Sequence, residues 1–268
     1  PSSRANGRLL SMVRGWLTVA FVSLALAVGD VVQRLVIAPW VKLRPSARVP
    51  VLGTWIKIMA WLMTRPVAFL SGCVIPRPPR VVPCKPGVLV VMNHQSLIDI
   101  PLVVQTVTDG GYPRIVTRAR YSRRIPLISH MIRLYQYPVV DPGAKAEVIR
   151  QSLEEMATAA RESQVPLAVF PEGTRTKDGE IGRFKRGALS HLLAARTWSV
   201  HVYVADGFWR AAKIRDFIRN VSGVRGKVEH AGVLEWTDPA VNPDAFIEEI
   251  HEMMVQRLAS MRREAASA

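Results

Sequence analysis

Residues 88–99 read VLVVMNHQSLID, and the fold turns on this stretch. Val88 to Met92 is a short, unbroken apolar run, the signature of a strand buried on both faces of a sheet. The polar residues Asn93 to Ser96 end it, and a helix is expected to follow through about Val107. A strand–turn–helix unit of this kind puts its polar turn beyond the carboxyl end of the strand, where open α/β sheets collect their chemistry. Residues 166–170, PLAVF, repeat the pattern and lead into Pro171-Glu172-Gly173-Thr174-Arg175.

Working outward, Ile115–Thr117, Val139–Val140 and Val200–Val204 read as further extended segments. Residues 144–163 and 187–196 have helical composition. Near the end, Phe246, Ile247, Ile250, Met253, Met254, Leu258 and Met261 fall on one helical face. Strands alternating with helices predict an α/β fold, a mainly parallel sheet flanked by helices. There is no internal repeat and no low-complexity segment.

A proline-rich connector, Pro76 to Pro86, cannot be helical and divides the chain at 75/76. Residues 76–268 hold the α/β pattern. Residues 1–75 hold two apolar stretches, Trp16–Val28 and Val49–Ile75. Asp30, Gln33 and Arg34 interrupt the continuation of the first, and Lys57 and Arg65 punctuate the second. Neither is an uninterrupted span of about 20 apolar residues. Trp16, Trp40, Trp55 and Trp61 sit where interface-anchoring aromatics are expected. Arg4, Arg8 and Arg14 precede the first stretch, and Lys42, Arg44 and Arg48 separate the two, so the linker is a poor candidate for translocation. The reading is an N-terminal membrane-associating segment of two helices dipping into one leaflet. A transmembrane hairpin and an apolar pair packed on the core are the alternatives.

The 268 residues carry 36 Lys and Arg against 21 Asp and Glu, a formal charge of +15. That excess attracts anionic partners such as an acidic membrane surface. Nucleic acid is not expected, because no nucleic-acid motif accompanies the charge. Cys73 and Cys84 are the only cysteines, with no CxxC or Cys/His spacing, so neither a disulfide framework nor a metal site is expected. A reducing, cytosol-facing location follows.

His94 and Asp99 are five residues apart and cannot share a face of a continuous helix. They meet if His94 lies in the turn and Asp99 in the first helical turn. Ser96 is a candidate N-cap, with Asp99 closing a capping box and its second oxygen reaching toward the imidazole. A carboxylate on one ring nitrogen fixes the tautomer, and the other nitrogen can then deprotonate an alcohol attacking an activated acyl carbon. In the second motif Gly173 permits a tight turn that exposes Glu172, Thr174 and Arg175. Arg175 could fork onto a phosphate, and Arg183 to Gly187 adds three cations.

Together the motifs resemble those of the glycerolipid acyltransferase family, which includes bacterial 1-acylglycerol-3-phosphate acyltransferases. The resemblance rests on Asn93-His94-Gln95-Ser96 with Asp99, on Phe170 to Arg175, and on Phe184-Lys185 with Gly187-Ala188, over roughly residues 85–205. It implies transfer of a fatty acyl group from acyl-CoA or acyl-carrier protein to a lysophospholipid, with no cofactor. His94 would be the general base and Asp99 its partner. Glu172, Gly173, Thr174, Arg175 and Lys185 would bind the acceptor's phosphate, and Arg118 or Arg120 stands where some relatives carry a basic residue. The sequence departs from the pattern at Ser129, in place of a glycine, and at Pro142, in place of an arginine after Asp141. The strand 200–204 also lacks the family's proline. The implied reaction is sn-2 acylation of lysophosphatidic acid to phosphatidic acid at the cytoplasmic face of the cell membrane. Another lyso-lipid acceptor, or a non-catalytic membrane-binding relative, is the alternative. Ala25-Leu26-Ala27 after a basic flank imitates a signal peptide. Cleavage would export a protein with cytosolic substrates, so the segment is expected to stay.

Overall fold

The computed structural model describes residues 2–212 and 214–267; the side chains of residues 2–8, Arg4 and Arg8 among them, and of residue 214 lie outside the description. Helix α1 (Ser2–Val32) passes without a break through a π-helical turn, Gln33–Ile37, into α2 (Ala38–Leu43). Asp30, Gln33 and Arg34 therefore sit inside one rod instead of ending it. The segment Leu9–Leu43 is long and apolar enough to cross a membrane by length and composition.

This rod is apolar on both faces, with Phe21, Val22, Leu26 and Val32 packed against the core. Gly15, Thr18, Gly29 and Gln33 face the body of the protein, whereas Val13, Leu17, Leu24, Val28, Val31 and Leu35 face outward. A helix docked in water buries its apolar stripe. A helix solvated by lipid turns that stripe outward and packs through small residues. The outward apolar face suits contact with lipid.

The second apolar stretch packs one face on the sheet and keeps another outward. Helix α3 (Arg48–Leu62) buries Leu52, Trp55, Ile56, Met59 and Ala60, and α4 (Arg65–Ser71) buries Val67, all in one core with the sheet. Ile58, Trp61 and Phe69 face outward. Trp55 is no interface anchor: it is buried, and its indole N–H donates to Gln33 Oε1 at 3.0 Å.

After the connector come β1 (Val88–Met92), α5 (Asp99–Gln105), β2 (Arg114–Ile115) and β3 (Thr117–Arg118). The expected single strand at 115–117 is thus two short ones, split at Val116 between two sheets. Next are α6 (Ile128–Leu134), β4 (Val139–Val140), α7 (Ala146–Glu162), β5 (Leu167–Val169) and α8 (Arg186–Ala195). The chain ends with β6 (Trp198–Asp206), α9 (Ile214–Asn220), β7 (Lys227–Trp236) and α10 (Asp244–Ala266). The main sheet has the order β2-β5-β1-β6-β7, parallel except for the β6–β7 pair, and β3 pairs with β4 apart from it. The fold is therefore α/β with a mainly parallel sheet.

β1 shows how the sheet divides the core. Val88, Val90 and Met92 pack with α3, α5 and α6 on one side, and Leu89 and Val91 with α7, α8 and α10 on the other. The tail stripe supplies Ile247, Ile250, Met254, Leu258 and Met261 to the second side. Residues on both sides of 75/76 share the first core. Gly15 lets α1 approach α9 closely, because a Cβ there would overlap the Ile218 carbonyl.

Candidate active site

β1 and β5 are adjacent and parallel, so the loops leaving them meet at the same sheet edge. Hydrogen bonds sew the two loops together. The His94 N–H donates to Glu172 Oε1 at 2.9 Å, and the Thr176 N–H donates to the His94 carbonyl at 2.8 Å. Glu172 Oε2 accepts from the Gly182 N–H at 3.0 Å. On the other flank, Asn93 exchanges two hydrogen bonds with the backbone of Ala205, at 2.9 and 2.7 Å, extending the β1–β6 pairing by side chain.

The His94 ring is held on two sides. Its Nδ1 lies 2.9 Å from Asp99 Oδ2, and its face stacks on Phe170 with centroids 4.5 Å apart. A ring nitrogen facing a carboxylate carries the proton, which leaves the Nε2 lone pair for an incoming donor. Asp99 is fully buried, and the same Oδ2 accepts from the N–H groups of Gln95 and Ser96 at 2.6 and 2.7 Å.

Two details differ from the sequence expectation. The α-helix begins at Asp99 itself, and the Ser96 hydroxyl accepts from the Ile98 N–H at 3.1 Å, so only the carboxylate half of the capping box forms. One oxygen of Asp99 serves the imidazole and both amides, while Oδ1 is buried without a hydrogen-bond partner. The shared oxygen lets the turn and the imidazole fix each other.

Glu172 corrects the expectation of a phosphate ligand. It is 4% exposed, and both its oxygens are taken by backbone amides. Burial raises its pKa, and the two amide hydrogen bonds oppose that rise. Gly173 has φ +63°, a left-handed turn, and the stem of Lys185 lies where a Cβ would project. Arg118 reaches this turn and donates to the Gly173 carbonyl. Thr174 is exposed, and Arg175 donates to the Ala212 carbonyl beyond β6. Arg120 is not brought in: it is exposed and lies against the Tyr121 ring.

Sequence reasoning missed a network behind the motifs. Gln95 Oε1 accepts from the Phe208 N–H at 3.0 Å, and its amide donates to Asp206 and to the Gly179 carbonyl, both at 3.3 Å. Arg262 of α10 completes the network on Asp206 at 3.0 Å, on Glu180 at 2.5 Å and on the Gly179 carbonyl at 2.9 Å. Burial opposes ionisation of Asp206, but the hydrogen bonds from Arg262 and Gln95 outweigh it and hold the carboxyl below its usual pKa. Arg262 lies 56 residues beyond Asp206, and no local signal pairs them. Among the described residues no cluster of three His, Cys, Asp or Glu could hold a metal ion. The Ser129 hydroxyl donates to the Tyr121 carbonyl and accepts from the Ile125 N–H, bracing the loop after Arg118.

Comparison with known proteins agrees with this architecture. The protein-family profile described as Acyltransferase matches residues 75–205, which hold both motifs. A 1-acyl-sn-glycerol-3-phosphate acyltransferase of Cocos nucifera is 24% identical over 95% of this chain and 78% of its own. A probable enzyme of the same name from Mycoplasma pneumoniae is 31% identical over 39% of each chain. The crystal structure of the 1-acyl-sn-glycerophosphate (LPA) acyltransferase PlsC from Thermotoga maritima superposes with a TM-score of 0.63 at 18% identity. It covers 93% of this chain and 98% of that one, so the fold is shared along almost the whole length. With the profile spanning both loops and the curated relatives named alike, the chain is an acyltransferase similar to the glycerolipid acyltransferase family.

Proposed function

We propose that the protein transfers a fatty acyl group from an acyl thioester, acyl-CoA or acyl-carrier protein, to the sn-2 hydroxyl of lysophosphatidic acid. His94 Nε2 accepts the hydroxyl proton as the oxygen attacks the thioester carbonyl. The carbon–sulfur bond then breaks, and the thiolate leaves with the proton that His94 returns. Asp99 holds the Nδ1–H tautomer and stabilises the imidazolium formed in passing. The 2.9 Å contact between His94 Nδ1 and Asp99 carries the reading.

Around the acceptor's phosphate, Lys185, Thr174 and the remaining N–H groups of Arg118 and Arg175 supply donors. Glu172 acts as a positioning residue for that turn. Work at the cytosolic face of the cell membrane suits a rod anchored in lipid beside cations able to meet lipid phosphates. A second reading, the same chemistry on another lysophospholipid, draws on Pro142, which stands where relatives carry an arginine. The test offers the purified protein lysophosphatidic acid, lysophosphatidylcholine and lysophosphatidylglycerol with each donor. Consumption of lysophosphatidic acid, lost in His94→Ala, is expected. Consumption of a different acceptor alone supports the second reading, and full activity in His94→Ala removes the imidazole from the mechanism.

A further inference from the structure

A concave cavity of about 670 Å³ lies beside the second motif loop. Its walls include Lys177 from that loop, Trp209 and Arg210 from the turn after β6, and Asp216, Arg219 and Asn220 from α9. The cavity is tied to the candidate site. Thr176, next to Lys177, donates to the His94 carbonyl, and Arg175 donates to the carbonyl of Ala212 in the cavity's own turn. Gly179 packs so closely on Trp209 that a Cβ there would overlap the indole. It is also tied to the membrane rod, where Ser11 of α1 donates to the Arg219 carbonyl at 2.9 Å and accepts from Ser222 at 2.8 Å.

Among the described residues, three cations line this cavity against one carboxylate, Asp216. Elsewhere on the molecule arginines find carboxylates: Arg150, Arg186, Arg257 and Arg262 each meet at least one. Among the described residues, Lys177, Arg210 and Arg219 form no salt bridge within 4.0 Å, and the guanidinium of Arg210 lies 5.2 Å from the Trp209 ring centroid. Unpaired like charges held around one concavity repel each other, and an anion placed among them removes that cost. The volume falls within the roughly 300–1,000 Å³ of small-molecule and cofactor sites, well above what one phosphate fills.

We infer that this cavity binds a ligand carrying phosphate groups, gripped by Lys177, Arg210 and Arg219 beside Trp209. Two sources offer that chemistry. One is the nucleotide part of a thioester donor, an identity that rests on the acyl-transfer reading above. The other is the headgroup phosphate of an anionic lipid at the foot of the rod.

The experiment measures binding to the full chain without turnover. One arm titrates adenosine 3′,5′-bisphosphate by calorimetry. The other compares sedimentation with vesicles of equimolar phosphatidylcholine and phosphatidylglycerol against pure phosphatidylcholine. Wild type is compared with Arg210→Gln/Arg219→Gln and with Asp216→Asn. Loss of charge-assisted hydrogen bonds should weaken binding by about tenfold or more, and removal of the carboxylate should tighten it. Tightening cannot come from a folding defect. This ordering in the nucleotide arm assigns the site to the donor. The same ordering in the vesicle arm alone assigns it to a headgroup. Variants indistinguishable from wild type in both arms overturn the proposal. His94→Ala should bind as wild type does, which separates a failure of this site from a failure of the proposed chemistry.

Discussion

Asp99 concentrates three donors on one buried oxygen, and this sets how a change there should act. In Asp99→Asn the side-chain oxygen can still accept from Gln95 and Ser96, and the new amide takes the place of the partnerless Oδ1. The fold should therefore survive while the charge that stabilises the imidazolium is lost. We expect kcat to fall by about 10²–10⁴-fold with little change in KM, measured by release of free thiol from the donor. Glu172 predicts the reverse pattern. Both its oxygens accept from N–H groups, so Glu172→Gln must turn an NH₂ toward one of them. Leaving a buried donor facing a donor costs about 1–3 kcal/mol, visible as a lowered midpoint of urea unfolding. A variant that kept wild-type stability and lost only acceptor affinity would restore Glu172 as a ligand-facing residue. The sequence made the spacing of His94 and Asp99 readable, since a strand end and a helix start bracket them. It could not say which way Glu172 turns, because a carboxylate beside a glycine turn suits a ligand or a backbone amide equally well.

At the scale of elements, the polar residues inside the N-terminal rod form a joint. Gln33 accepts from Trp55 of α3 at 3.0 Å and donates to the Leu127 carbonyl at 3.3 Å, with His130 Nδ1 at 2.9 Å from its amide. Asp30 accepts from the Leu127 N–H at 2.9 Å and from Arg34 at 2.9 Å. Leu127 has φ +62°, so these contacts hold a strained turn at the foot of α6. Replacing Gln33 by leucine keeps the helix but orphans the Trp55 N–H and takes the side-chain partner from His130 Nδ1, while the Leu127 carbonyl keeps the Met131 N–H at 2.8 Å. The expected cost is about 1–3 kcal/mol for each group left without a partner, followed as the loss in thermal midpoint of the detergent-solubilised protein. Hydropathy counts made these residues look like the end of an apolar stretch, because composition is blind to partners supplied from residues 55, 127 and 130. β7 was hidden for a related reason. It is an edge strand with mixed exposure, and a register shift opposite Val202 and Tyr203 breaks the alternation that would have marked it. By contrast β1 and β5, buried on both faces, announced themselves.

For the whole molecule, the proposed membrane association would draw on two separable forces, the outward apolar face of the rod and the excess positive charge. The charge acts through the solvent and is screened within about 8 Å at physiological salt. Burial of Leu24, Val28, Val31 and Leu35 in hydrocarbon is insensitive to salt. Wild-type protein should therefore bind neutral phosphatidylcholine vesicles at all salt concentrations and bind phosphatidylglycerol vesicles more tightly at low salt only. Leu24 and Val28 are 64% and 54% exposed, so Leu24→Glu/Val28→Glu disturbs no packing and leaves the fold intact. A charged residue in a membrane helix costs about 2.5–3.5 kcal/mol at mid-bilayer, and two of them should abolish sedimentation with neutral vesicles. Residual binding of this variant to anionic vesicles should disappear as salt rises, since only the screened force remains. If the variant still sediments with neutral vesicles at high salt, the outward face of the rod is not the surface that meets lipid. The acyl-transfer assay adds a second readout: activity on substrate dispersed in detergent should be retained while activity on vesicle-borne substrate falls, as follows from the proposed reading, in which the rod delivers the domain to the bilayer and the sheet edge holds the reacting groups.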